Sequence, residues 1–236
     1  VTTTAPHPPQ LLLEGQYAAP EGPVDLAAMY LMHRAFRRDL TLFAQVAGVV
    51  PAADRERWQL VARRFEFFST VLHKHHSGED RALWPLLAER GADATVLDAL
   101  EAEHAVIDPL LASVTADLRA LADGSGNEAT HARLAGTTVD LRDALLAHLA
   151  HEESDGMTLV QRHLTDEDWL RLDEEVFKKD YSPREIPAVA GWVASGLPVE
   201  DVRRMPGANA LLVAVAMFMG RRAQRRDARI FGGAQR

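Results

Sequence analysis

The chain contains no cysteine. Disulfides, thiolate metal sites and cysteine nucleophiles are therefore excluded, and any metal must be held by imidazole and carboxylate. That donor set suits iron, manganese or zinc better than copper(I). Long apolar runs are also missing. The longest, Ala208 to Met219, is too short to span a bilayer. Leu11-Leu12-Leu13 is too short for a signal-peptide core and follows no basic segment. Positive charge is not in excess: the net charge of −8 argues against general nucleic-acid binding. Runs of β-branched residues between turn signals are few, whereas Ala and Leu abound, which favours an all-α class. The composition thus predicts a soluble, cytoplasmic helical protein with neither nucleic acid nor membrane as partner.

What the chain does have is one pattern written twice. His75-His76-Ser77-Gly78-Glu79-Asp80 and His148-Leu149-Ala150-His151-Glu152-Glu153 each place a Glu four residues after a His. On a helix that spacing puts both side chains on one face, one turn apart. Each pair also follows a lone His at a similar distance: His33 lies 42 residues before His75, and His104 lies 44 before His148. The plan in both copies is a helix bearing one His, a loop, and a helix bearing His-x-x-x-Glu. Two such hairpins pair into an antiparallel four-helix bundle, and inward imidazoles and carboxylates from four helices make a dinuclear metal site.

The predicted organisation follows. Residues 1–23, rich in Thr, Pro and Ala, read as a flexible tail. The bundle spans 24–165, with helices from about Asp25 to Gly48, Ala53 to Arg90, Ala94 to Ala122 and Glu128 to Leu164. Pro85 and Pro109 are expected to bend the second and third helices. Asp123-Gly124-Ser125-Gly126-Asn127-Glu128 is a loop, and Thr165-Asp166-Glu167-Asp168 resembles a capped restart. Residues 166–236 form additional C-terminal helices, broken at Tyr181-Ser182-Pro183, Gly196-Leu197-Pro198 and Pro206-Gly207.

The candidate ligands are His33, His75, Glu79, His104, Asp108, His148 and Glu152. Glu79 and Glu152 occupy matching places and are the natural bridges. His33 and His75 are assigned to one metal, and His104, His148 and Asp108 to the other. His73, His76 and His151 are read as solvent-facing or supporting residues.

This set, in stretches such as His75 to Pro85 and Glu103-His104-Ala105-Val106-Ile107-Asp108-Pro109, resembles the hemerythrin-like, or HHE cation-binding, proteins over about residues 25–165, and in particular their longer actinobacterial members. The resemblance implies two non-haem irons with an oxo, hydroxo or water bridge, and dioxygen or peroxide as reactant. Asp108 stands where oxygen-carrying members have a second His. A carboxylate-richer site of that kind is expected to favour oxidative or peroxide chemistry over reversible carriage.

Two further residues are singled out. Tyr30, one turn before His33, is a candidate proton or electron donor. Gly156, four residues beyond Glu152, stands where the other copy has Leu83. It reads either as a helix kink or close packing of the C-terminal extension, or as a pocket for an organic substrate beside the metals. Three functions are compatible with the sequence: a diiron protein that binds dioxygen or reacts with peroxide, a diiron oxidoreductase acting on a small organic molecule, and a metal- or oxygen-sensing module whose C-terminal helices contact a partner. The substrate, the redox partner and the oligomeric state are not written in the sequence.

Overall fold

The computed structural model describes residues 7–232. It is all-α, with no strand among the described residues. Helix α1 (Ala27–Val49) begins beside Asp25, whose Oδ1 accepts the Ala27 N–H at 3.0 Å. Helix α2 (Arg55–Gly78) is capped by Asp54, and α4 (Ala94–Asp123) by Asp93. The short α3 (Trp84–Glu89) lies between them. Gly124 closes α4 in the left-handed conformation (φ +86°) that a side chain would disfavour. Helix α5 (Glu128–His151) opens on a capping box of Asn127 and Thr130. Helix α1 packs on α2 and α5, and α4 packs on α2 and α5, which closes a four-helix ring. Inward faces carrying Phe36, Phe43, Phe65, Phe68, Leu118 and Leu141 fill its core.

Both His-x-x-x-Glu helices change pitch at the same place in the repeat. After α2 a π-helical turn covers Glu79–Leu83, and after α5 another covers Glu152–Gly156. The Trp84 N–H reaches back to the Glu79 carbonyl, and the Met157 N–H to that of Glu152. Pro85, which has no N–H and would crowd the carbonyl four residues back, fits the first break. Thr158 stands at the matching place in the second copy. Proline therefore does not explain the pair; what the two turns share is the buried Glu at their start. Pro109, by contrast, leaves α4 unbroken, because it and Ala105 lie on the exposed face where water can serve the freed carbonyl.

The N-terminal segment corrects the sequence reading. The reading of 1–23 as a flexible tail falls partly on residues 1–6, which lie outside the described residues. Residues 7–23 instead form a strap along the bundle. Leu11 and Leu13 are buried, Gln10 donates to the Val24 carbonyl at 2.8 Å, and the Tyr17 N–H donates to Glu153 at 2.7 Å. Two apolar anchors and side-chain amides spaced to meet backbone groups hold it, a signal that Pro and Thr content masks.

Beyond α6 (Met157–His163) the chain continues through α7 (Asp166–Leu172), a third π-helical turn (Asp173–Phe177), α8 (Ile186–Ala194), α9 (Val199–Val202) and α10 (Ala210–Phe231). Thr165 and Asp168 form the capping box that restarts the helix. Helices α8 and α10 pack on each other and on α1. A buried ionic knot ties them down. Arg64 of α2, 3% exposed, meets Asp39 of α1 at 2.6 Å and Asp227 of α10 at 3.1 Å, and the Trp192 indole N–H donates to Asp39 at 2.8 Å. Removing one partner strands a buried charge. Asp39→Ala is expected to lower unfolding free energy by about 3–5 kcal/mol in chemical denaturation, whereas an alanine at the exposed Arg221 is expected to change it by less than about 0.5 kcal/mol.

Candidate metal centre

Seven side chains from the four bundle helices and their π turns meet in the interior. His33 comes from α1, His75 and His76 from α2, Glu79 from the turn that follows, His104 from α4, His148 from α5 and Glu152 from the second π turn. All are buried, the two carboxylates completely. They sort into two groups, His33/His75/Glu152 and His76/Glu79/His104/His148, and within each the donor atoms lie within 4.8 Å of one another. The carboxylates face both groups. Glu79 is 3.0 Å from His75 Nε2 and 3.7 Å from His104 Nε2, and Glu152 is 3.3 Å from His33 Nε2 and 3.7 Å from His148 Nε2.

Six of the seven residues expected from the sequence are here. Asp108 is not: it is exposed, lining a surface hollow with His73 and Arg119. One turn beyond His104 it lies outside the buried stripe, whose core side the apolar Ile107 takes. His76 fills the place instead, its ring stacked 4.0 Å from that of His104. Both His75 and His76 point inward because they enter different groups, and the adjacent pair in His75-His76 was the available signal.

Outer carboxylates hold three of the rings from behind. His33 Nδ1 meets Glu153 at 2.9 Å, His104 Nδ1 meets Asp80 at 2.8 Å and His148 Nδ1 meets Glu103 at 2.8 Å. We assign Nδ1–H as the donor in each; in His104 and His148 this leaves an Nε2 lone pair aimed at the centre, while in His33 a bound cation would displace the proton on Nε2. Asp80 and Glu153 each directly follow a buried Glu of the cluster, so the doubled acids Glu79-Asp80 and Glu152-Glu153 were a readable sign of these outer partners. Glu103 also accepts from His151 Nδ1 at 2.8 Å, which gives His151 the supporting role the sequence allowed it. Glu153 is further gripped by Arg37 at 2.7 and 2.8 Å.

The electrostatics match a cation site. Burial holds His75 down to about 3 and His76 well below the ordinary imidazole range, so both are neutral at pH 7, as ligands must be. Burial, then Glu152, push the Glu79 carboxyl well above the usual range. Burial acts the same way on Glu152, but His33, His148 and His75 outweigh it and hold that group down. For His33, too, burial is outweighed: Glu152 and Glu153 push it up to about 9. All four oxygens of Glu79 and Glu152, and Nε2 of His76, are buried without a hydrogen-bond donor. His104 and His148 bring their Nε2 atoms to 3.2 Å, and His33 and His75 to 3.4 Å. Lone pairs and carboxylates so crowded fit metal cations.

Gly156 does not open a pocket. Leu100 and Trp84 pack over it: a Cβ there would meet Leu100 Cδ1 and Glu152 Cγ at 3.2 Å and Trp84 at 3.7 Å. Its small size lets Leu100 of α4 and Trp84 of α3 close over Glu152. Tyr30 is fully buried with its hydroxyl unpaired, and burial followed by Glu153 and Glu152 raises that hydroxyl above the tyrosine range.

Metal analysis of variants tests the revised ligand set. His76→Ala is expected to lower the metal bound per chain, whereas Asp108→Ala leaves it unchanged. Glu103→Gln keeps the ring packing but weakens the hold on His148, and is expected to reduce metal affinity roughly 10–100-fold in a chelator competition.

Comparison with known proteins agrees with the geometry. No curated protein and no solved structure was found to match the chain. The family model for the hemerythrin HHE cation binding domain matches residues 24–160, which contain all seven clustered side chains. The chain belongs to the hemerythrin HHE cation-binding family.

Proposed function

We propose that the protein is a non-haem diiron protein that reacts with dioxygen or peroxide. The observation that carries this reading is the pair of buried groups sharing Glu79 and Glu152. His33 and His75 would hold one iron, His76, His104 and His148 the other, with Glu79 and Glu152 between them. Five imidazoles and two carboxylates would hold the metal, and iron so held would leave room for small oxygen-derived ligands. Iron bound there supplies the electrons for oxygen or peroxide chemistry.

The chain's own groups do the rest. Asp80, Glu103 and Glu153 fix ring orientation and make the imidazoles more basic. Phe36 and Leu83, both fully buried, keep bulk water away. Tyr30 keeps its phenolic proton at neutral pH, because burial and two carboxylates disfavour the phenolate. That makes it a candidate donor of a proton or hydrogen atom. With His76 in place of Asp108 the site is richer in imidazole than the sequence reading supposed, so the argument from extra carboxylate toward peroxide chemistry lapses.

A second reading is an oxidoreductase that uses oxygen or peroxide on a small organic molecule. It is favoured by an apolar cavity of about 300 Å³ whose wall includes His75.

Anaerobic titration with ferrous iron, followed by oxygen or peroxide, tests the proposal. Binding is expected to saturate at two irons per chain, with a charge-transfer band appearing on oxidation. Saturation at one iron, or no spectral change with either oxidant, would overturn it. Tyr30→Phe is expected to keep both irons and to slow peroxide consumption by roughly 10²-fold in stopped-flow absorbance.

A further inference from the structure

The two copies of the repeat differ in how the second His is supported. In the second copy, Glu103 precedes His104 and accepts the Nδ1–H of His148 at 2.8 Å. His151, three residues beyond His148, leans on the same carboxylate. In the first copy the residue before His33 is Met32, and three residues beyond His75 stands Gly78. A thioether stands where the other copy has the acid, and a glycine where it has the second imidazole. His75 Nε2 faces the metal cluster, 3.0 Å from Glu79, while its Nδ1 has no hydrogen bond among the described residues. His33, His104 and His148 all have a carboxylate there.

The C-terminal extension occupies the space beside Gly78. Phe177, from the third π turn, lies against Gly78 so closely that a Cβ would be 2.6 Å from its ring. Its ring centroid is 6.4 Å from that of His75. Beside it lies the apolar cavity of about 300 Å³, at the small end of the range for organic ligands. Met32 and His75 form the bundle side, with Ala28; Val189, Ala190 and Leu212 of the extension form the other. The charges at its edge are already matched. Lys74 pairs with Glu185 at 2.7 Å and lies over the Tyr181 ring, and Lys178 pairs with Asp173 at 2.8 Å.

From this we propose that the cavity binds a small neutral organic molecule, mostly apolar, whose single hydrogen-bond-accepting end meets the Nδ1–H of His75. The apolar walls select the body, and the matched rim gives no partner to a net charge. The free Nδ1–H is the one polar group at the metal end, taking the place that Glu103 serves for His148. Ligand and metal then sit on opposite nitrogens of one ring. The link from ligand to metal rests on the metal-site reading above; the cavity's occupancy does not.

The probe is 1-octanol, a neutral apolar chain with one hydroxyl, and octanoate is its charged counterpart. Calorimetric titration of the protein as purified is expected to show 1-octanol binding at least tenfold more tightly than octanoate. Ala28→Phe and Leu212→Trp fill the cavity from opposite walls, and each is expected to weaken 1-octanol binding at least tenfold with its helical content and thermal transition retained. In cobalt(II)-loaded protein, 1-octanol is expected to shift the d–d bands. Met32→Glu, which restores the second copy's acid, is expected to abolish that shift while cobalt still binds. Absence of 1-octanol binding to the wild type, or equal binding to a folded filled variant, overturns the cavity proposal. Binding with unchanged cobalt bands overturns the His75 contact. Failure to take up cobalt sinks the metal reading alone, since the titration decides the cavity by itself.

Discussion

Two carboxylates buried without a single hydrogen-bond donor set the terms for this structure. Glu79 and Glu152 have all four oxygens enclosed, with imidazole nitrogens 3.0, 3.3 and 3.7 Å away. Such an arrangement is unfavourable as a protein interior and favourable as a cation site. Much of the bundle can be understood as support for it. Four helices bring the imidazoles; an outer ring of Asp80, Glu103 and Glu153 orients them; Arg37 and the Tyr17 N–H then neutralise and fix Glu153. Arg37 and the Tyr17 N–H hold Glu153, Glu153 holds His33, and His33 faces Glu152 at 3.3 Å, so the N-terminal strap is linked to the candidate metal site.

The extension is attached by different means. Its grip on the bundle is the Asp39–Arg64–Asp227 knot with the Trp192 indole, placed away from the imidazoles. A buried ionic contact of this kind adds directional constraint more than net stability. It sets α8 and α10 at one orientation on α1 and α2, and thereby sets the height of the cavity they roof. Phe177, seated on Gly78, fixes the other end.

The fold and most of the centre were legible in the sequence because they depend on periodic features. Helix lengths, the duplicated His-x-x-x-Glu and the glycine and proline breaks are all local signals, and six of the seven clustered residues came from them. The misreadings share a cause. Asp108 and His76 were assigned as though each helix kept one α-helical face throughout, yet adjacent residues on α2 enter different His/Glu groups. Gly156 looked like an opening because an absent side chain was read without its neighbours Leu100 and Trp84, which come from elsewhere in the chain. The cavity beside His75 could not be read from the sequence at all. It is bounded by residues from 28 to 212 in chain order, and no local pattern announces that they meet.

The matched π turns carry one more consequence. A π turn is an α-helix holding one residue more than the turn needs, and each residue is worth about 100° of rotation. Both metal-bearing helices thus have a second register next to the one they occupy. Slipping into it would swing the buried Leu83 and Trp84, or Gly156 and Met157, away from the faces they now fill. Helix phase is consequently tied at two places, at the candidate metal site around Glu79 and Glu152 and in the core beyond them. Metal loading and side-chain packing become two readings of the same rotation.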